Sequence, residues 1–255
     1  MKKRLCVLLW FSVFFSCTSN NGNPKTDEPI HTLIFMDKSL SLNTNHAYVS
    51  EKYDQVLNDI VANNIRTTGD RITVYFIHEN TAKARALSLR VRSKMDDISN
   101  ANTTDLEAAE VAFDLSLAHE KARFRQQLQG KLAQVNKELS NQRTDILASI
   151  SLIAEAGAEG GTVTVYYLSD MVESVMNRDG KGRDFHKKPP ANENQADEWA
   201  KTDAKQVGEI TLGSPQINMA LPFEPTASRR VNNPMITRYW QTLFGALGVD
   251  AVEEL

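Results

Sequence analysis

Two apolar runs, each closed by an acidic residue, constrain this chain more than any other feature. His-Thr-Leu-Ile-Phe-Met leads into Asp37, and Thr-Val-Thr-Val-Tyr-Tyr-Leu at residues 162–168 leads into Ser169-Asp170. Runs without polar alternation are what strands buried on both faces look like, and sheets covered on both faces are built from parallel strands joined by helical crossovers. A third run of the same character, Arg-Ile-Thr-Val-Tyr-Phe-Ile at residues 71–77, follows a break at Gly69-Asp70.

Helical patterns lie between these strands. In residues 48–65, Tyr53, Val56, Leu57, Ile60, Val61 and Ile65 recur at steps of three and four, the spacing of one helix face. Residues 83–92 alternate apolar and basic side chains, which predicts an antiparallel edge strand whose charges discourage aggregation. Residues 104–141 read as a long helical insertion opened by a capping box, Thr104-x-x-Glu107. Unbroken, it would extend roughly 55 Å, so a bend near Gly130 is expected. It either covers the sheet as a surface helix or serves as a partner-binding arm. A helix is expected over 145–156, and the glycine- and proline-bearing residues 173–208 read as a long loop with a short helix around 194–204. Residues 216–221 and 234–247 close the pattern as a last strand and a last helix. The fold class is therefore α/β: a doubly wound, mostly parallel sheet with one antiparallel edge strand and helices on both faces.

The first residues stand outside that fold. Met-Lys-Lys-Arg followed by an apolar run up to Phe15 has the form of a secretory signal and is too short to span a bilayer. Phe14-Phe15-Ser16-Cys17 resembles the lipobox of bacterial lipoproteins, in which Cys17 would be lipidated; an ordinary signal peptide with an incidental cysteine is the alternative. The only other cysteine is Cys6, inside the signal, so the folded part has no thiol to offer a metal or a disulfide. Residues 1–16 are thus expected to be signal, 17–29 a flexible tether, and 30–255 one domain. The protein is expected in the bacterial cell envelope, held to a membrane by its lipid. Loss of Lys2, Lys3 and Arg4 would take the net charge from −3 to −6, which argues against a nucleic-acid partner.

Ligand sites of doubly wound sheets lie beyond the carboxyl ends of the strands. Three short polar sequences fall there: Asp37-Lys38-Ser39-Leu40-Ser41, Thr144-Asp145 and Asp170. Between them, Asp37, Ser39, Ser41, Thr144 and Asp170 offer two carboxylates and three hydroxyls, all oxygen ligands suited to a hard cation. A DxSxS loop after the first strand, a threonine in a later loop and an aspartate after a later strand resemble the metal-ion-dependent adhesion site of von Willebrand factor A domains. The resemblance extends over the order of elements from about residue 30 to 249. It implies that Ser39 and Ser41 ligate one ion directly, that Asp37 and Asp170 do so directly or through water, and that Thr144 alternates between the two. Mg²⁺ is the expected ion, with Mn²⁺ or Ca²⁺ possible, and one position would stay open for the carboxylate of a partner protein.

The function so implied is cation-dependent protein binding, without catalysis. The segments before Thr144 and after Asp170 are longer than the minimal family pattern, so the rim around the site, with Asp179, Arg183, His186, Lys187 and Lys188 as candidates, is individual to this chain. One rival is a metal-dependent hydrolase or phosphotransferase using Asp37 as nucleophile; Ser39 stands where a haloacid-dehalogenase-like enzyme would carry its second aspartate. Neither a nucleophile elbow nor a phosphate-binding glycine loop is present, and the five histidines show no paired metal-ligand spacing. Another rival is a structural lipoprotein whose ion site stays empty.

Overall fold

The computed structural model describes residues 28–39, 47–99, 101–135, 143–175, 182–208 and 210–255. Strand β1 (Ile30–Asp37) lies at the middle of the sheet, parallel to β2 (Arg71–Ile77) on one side and to β4 (Thr162–Leu168) on the other. Outside β2 runs β3 (Arg85–Arg90), antiparallel and half-exposed as an edge strand should be. Beyond β4 come β5 (Gln216–Ala220) and a short β6 (Val252–Glu254), both parallel. The order β3-β2-β1-β4-β5-β6 makes a six-stranded, mostly parallel sheet. It winds outward from β1 in both directions, so the β1–β4 junction is the point where the strand order reverses.

Alternation along β1 divides the core. Leu33 and Phe35 point into one cluster with Ile150 and Ile153 of α3 (Ser149–Ala158), Ala196 and Ala200 of α4 (Glu193–Val207), and Tyr239, Trp240 and Phe244 of α5 (Pro234–Ala246). Ile34 and Met36 point the other way, against Tyr53, Leu57 and Ile60 of α1 (Ala47–Asn64) and Phe124 and Leu128 of α2 (Thr103–Ala133). Helices thus cover both faces, as the unbroken apolar strands require.

Three local expectations change. Helix α2 begins under an Asn102 cap, whose side chain accepts from the Asp105 N–H at 2.9 Å, in place of the capping box at Thr104. It runs through Gly130 and ends at Ala133, where Gln134 turns to extended backbone; residues 136–142 lie outside the described residues. The short helix expected around residues 194–204 of the long segment is longer, the 15-residue α4. The apolar face of α4 is made of alanines, Ala196, Ala200 and Ala204, four residues apart and buried. Small side chains leave little hydrophobic periodicity to read, yet they let α4 pack closely on α5. Arg238 of α5 grips Asp197 with two nitrogens at 2.7 and 2.8 Å. Arg183, proposed for the rim, is instead internal to this face: it holds Asp203 at 2.7 and 3.0 Å and stacks on Trp199. His186, Lys187 and Lys188 are exposed, and Asp179 lies outside the described residues.

Candidate functional site

Asp37 ends β1 at the switch point, and its side chain is 1% exposed. Its Oδ1 accepts the Ser39 N–H at 2.7 Å and its Oδ2 the Ser169 hydroxyl at 2.8 Å. The Ser39 hydroxyl adds a further donor. Burial pushes the carboxyl above the usual carboxylate range, against these hydrogen bonds and the neighbouring Lys38 charge. An anion taken out of water and held mainly by neutral donors is electrostatically suited to a cation.

The two neighbouring strands deliver the other groups. The Thr144-Asp145 loop is fastened to the end of β2 by the Asp145 N–H donating to the His78 carbonyl at 3.3 Å. It is fastened to the segment after β4 by reciprocal bonds with Ser174: Thr144 N–H to Ser174 Oγ at 2.7 Å, and Ser174 N–H to the Thr144 carbonyl at 2.9 Å. Glu173, fully buried, completes this clamp. Its Oε2 accepts from the Ile146 and Leu147 N–H groups at 2.7 and 3.0 Å, and its Oε1 accepts from Val175 at 3.0 Å. Burial and the Asp145 charge push Glu173 up to about 8, against those three donors. Thr144 itself is 1% exposed.

Asp170 follows β4 after Ser169 and is half-buried, and its Oδ1 accepts the Val172 N–H at 3.0 Å. The next residue, Met171, has φ +58°, a left-handed conformation that costs an ordinary side chain about 1–2 kcal/mol. Trp240 of α5 holds the turn by donating its indole N–H to the Met171 carbonyl at 2.8 Å. A buried tryptophan on the last helix therefore fixes the turn that carries Asp170. Lys38 performs a similar task from the other face: its ammonium donates to the Leu132 carbonyl at the end of α2 at 2.6 Å and lies over the Phe76 ring, and burial pushes it down to about 8.

Asp37, Ser39, Thr144 and Asp170 are thus carried by segments tied to one another at one end of the sheet; Ser41 and Cys17 lie outside the described residues. The donor set is all oxygen, which fits a hard cation. Tyr53 supplies a further point of fit. Its hydroxyl is buried with no hydrogen-bond partner among the described residues, and burial together with the charges of Asp37 and Asp170 raises its pKa well above the ordinary phenol value. A lone phenol in the field of both carboxylates marks a polar spot that the described side chains leave unsatisfied. Among the described residues there is no group of three or more His, Cys, Asp or Glu able to hold a metal. Sequence reading missed Ser169 and Glu173. Ser169 could have been found as the hydroxyl beside the strand-ending aspartate; Glu173, an isolated acid in the apolar context Met-Val-Glu-Ser-Val, gave only a faint signal.

No family model matches the chain, and no curated protein matches it. Solved structures do: a pilus adhesin, SpaC from Lactobacillus rhamnosus GG in its open conformation, aligns with 91% of this chain at 12% identity and a TM-score of 0.43, and the chain spans 28% of that adhesin's length.

Proposed function

We propose that the chain is a divalent-cation-dependent protein-binding module of the von Willebrand factor A type, anchored in a bacterial cell envelope through Cys17. What supports this most is one observation: the buried Asp37 carboxylate at the switch point, flanked by Ser39 and Ser169 and by tied segments bearing Thr144 and Asp170. A Mg²⁺-class ion bound there would supply a positive centre with a position open to a partner's Asp or Glu.

The chain's own residues would act as follows. Asp37 balances the charge while excluded from bulk water. Ser39 turns its hydroxyl from Asp37 toward the ion, and Ser41 adds a second hydroxyl. Thr144 and Asp170 complete the oxygen shell, their positions kept by Ser174, Glu173 and Trp240. Few of these ligands are anionic, so the centre keeps attraction for an incoming carboxylate.

Calorimetric titration with Mg²⁺ and Mn²⁺ tests the reading. Saturable uptake of one ion, lost in Ser39→Ala/Ser41→Ala and in Asp37→Asn, is expected. Undiminished uptake in those variants would refute the assignment.

A further inference from the structure

Helix α2 is apolar on two opposite faces. Leu117, Phe124, Leu128 and Leu132 are buried against the body. Two residues off that row, about 200° around the helix, runs a second one: Thr104, Ala108, Val111, Leu115, Ala118 and Ala122, all exposed and spaced four, three, four, three, four. Val111 is 67% and Leu115 61% exposed, among the few large apolar side chains the molecule shows to solvent. Steps of three and four sustained over that length are the spacing of a helix-pair seam, and no described residue of the body covers it.

The charges beside the seam specify what does. Residues 103–117 contain Asp105, Glu107, Glu110 and Asp114 and no basic residue, whereas 118–133 contain Lys121, Arg123, Arg125 and Lys131 against Glu120 alone. At 100° per residue, Glu107, Asp114, Lys121 and Arg125 fall along one flank of the seam, and Asp105 and Arg123 along the other. None of Glu107, Glu110 and Asp114 makes an ion pair among the described residues.

We infer that this face binds a second copy of the chain, α2 against α2, antiparallel about a two-fold axis near Leu115. In that arrangement Glu107 meets Arg125 of the second copy and Asp105 meets its Arg123, each contact occurring twice as an isologous interface demands. A parallel pair would set the acidic halves against each other, so the charge segregation selects orientation as well as partner.

Sedimentation equilibrium of the full chain, kept in solution by a mild non-ionic detergent, tests this. The wild type should show a monomer–dimer equilibrium. Val111→Glu/Leu115→Glu should weaken it at least tenfold with the melting temperature unchanged, because both side chains are exposed. Glu107→Lys/Asp114→Lys and Arg123→Glu/Arg125→Glu should each be monomeric alone and form a heterodimer when mixed. A wild type that stays monomeric, a dimer indifferent to Val111→Glu/Leu115→Glu, or charge variants that fail to pair on mixing would each overturn the inference.

Discussion

Two buried aspartates sit at opposite ends of the sheet and are held in different ways. Asp70, 0% exposed, opens β2 and receives three backbone N–H groups: Ile30 on Oδ1 at 2.7 Å, and Arg66 and Thr67 on Oδ2 at 2.5 and 2.7 Å. It stitches the start of β1 to the connection between α1 and β2. Asp37, 1% exposed at the far end, receives, among the described residues, one backbone N–H and otherwise hydroxyls, from Ser39 and Ser169. Backbone donors are fixed in place; a hydroxyl rotates and can offer its lone pair instead of its proton. The first carboxylate is built to hold structure, and the second, on the function proposed above, would exchange a donor for a cation without moving the chain.

The largest expected effect falls on the structural end. Asp70→Ala removes the shared acceptor of three part-buried N–H groups and should cost about 3–5 kcal/mol in denaturant unfolding, with added Mg²⁺ making no difference to the loss. A cost under about 1 kcal/mol would erase the contrast.

The same end should carry an acid sensitivity. His31 lies buried with Nε2 on Thr73 Oγ1 at 3.1 Å, and burial and Arg71 push it down to about 4. The folded state keeps the ring neutral while the unfolded chain takes up a proton near pH 6.5. Stability from this residue is therefore complete above pH 6.5 and is lost as pH falls toward 4, by up to about 3 kcal/mol. His31→Gln should flatten that slope in unfolding curves collected across the range.

At the other end the effect should depend on the ion. Saturating Mg²⁺ at a hundred times its dissociation constant should stabilise the wild type by about 2.7 kcal/mol. Asp37→Asn should remove that gain while changing the ion-free stability by no more than about 1 kcal/mol, since it retains an acceptor and sheds a buried charge. An Asp37→Asn protein that unfolds without added metal as readily as Asp70→Ala would make the two carboxylates equivalent.

The smallest effect belongs to Tyr53→Phe. Its hydroxyl has no partner among the described residues, so loss should leave ion-free stability within about 0.5 kcal/mol by thermal melting. A loss above about 1 kcal/mol would mean that the phenol is structural.

Legibility followed the same division. The central strands were readable because β1, β2 and β4 are largely buried on both sides, and burial writes runs of aliphatic, aromatic and β-branched residues; their bounds fall within a residue of expectation. The edge strand β3 showed in its alternation. Helix α4 was underestimated because alanines bury it, and β6 was missed because three half-exposed residues leave no pattern. At the candidate site, Asp37 and Asp170 were visible as acids ending apolar runs, and Thr144 as a hydroxyl before a helix expected over 145–156 that in the structure begins only at Ser149. Glu173, Ser174 and Trp240 were not, because their task is to bond backbone groups brought near only by the fold.

Helix α2 has a property that concerns its own electrical polarity. Its aligned peptide units leave a partial positive charge at the first turn and a partial negative charge at the last, and matching side chains contribute about 0.3–1 kcal/mol each. Asp105 and Glu107 stand at the positive end, and Lys131 and the buried Lys38 at the negative end. The half that leaves the body therefore resists fraying without neighbours to brace it, and α2 forms a stiff rod about 46 Å long. Lys38 pins the inner end of that rod beside the first strand's terminal carboxylate, so the rod is fastened at one end and stands clear of the body at the other.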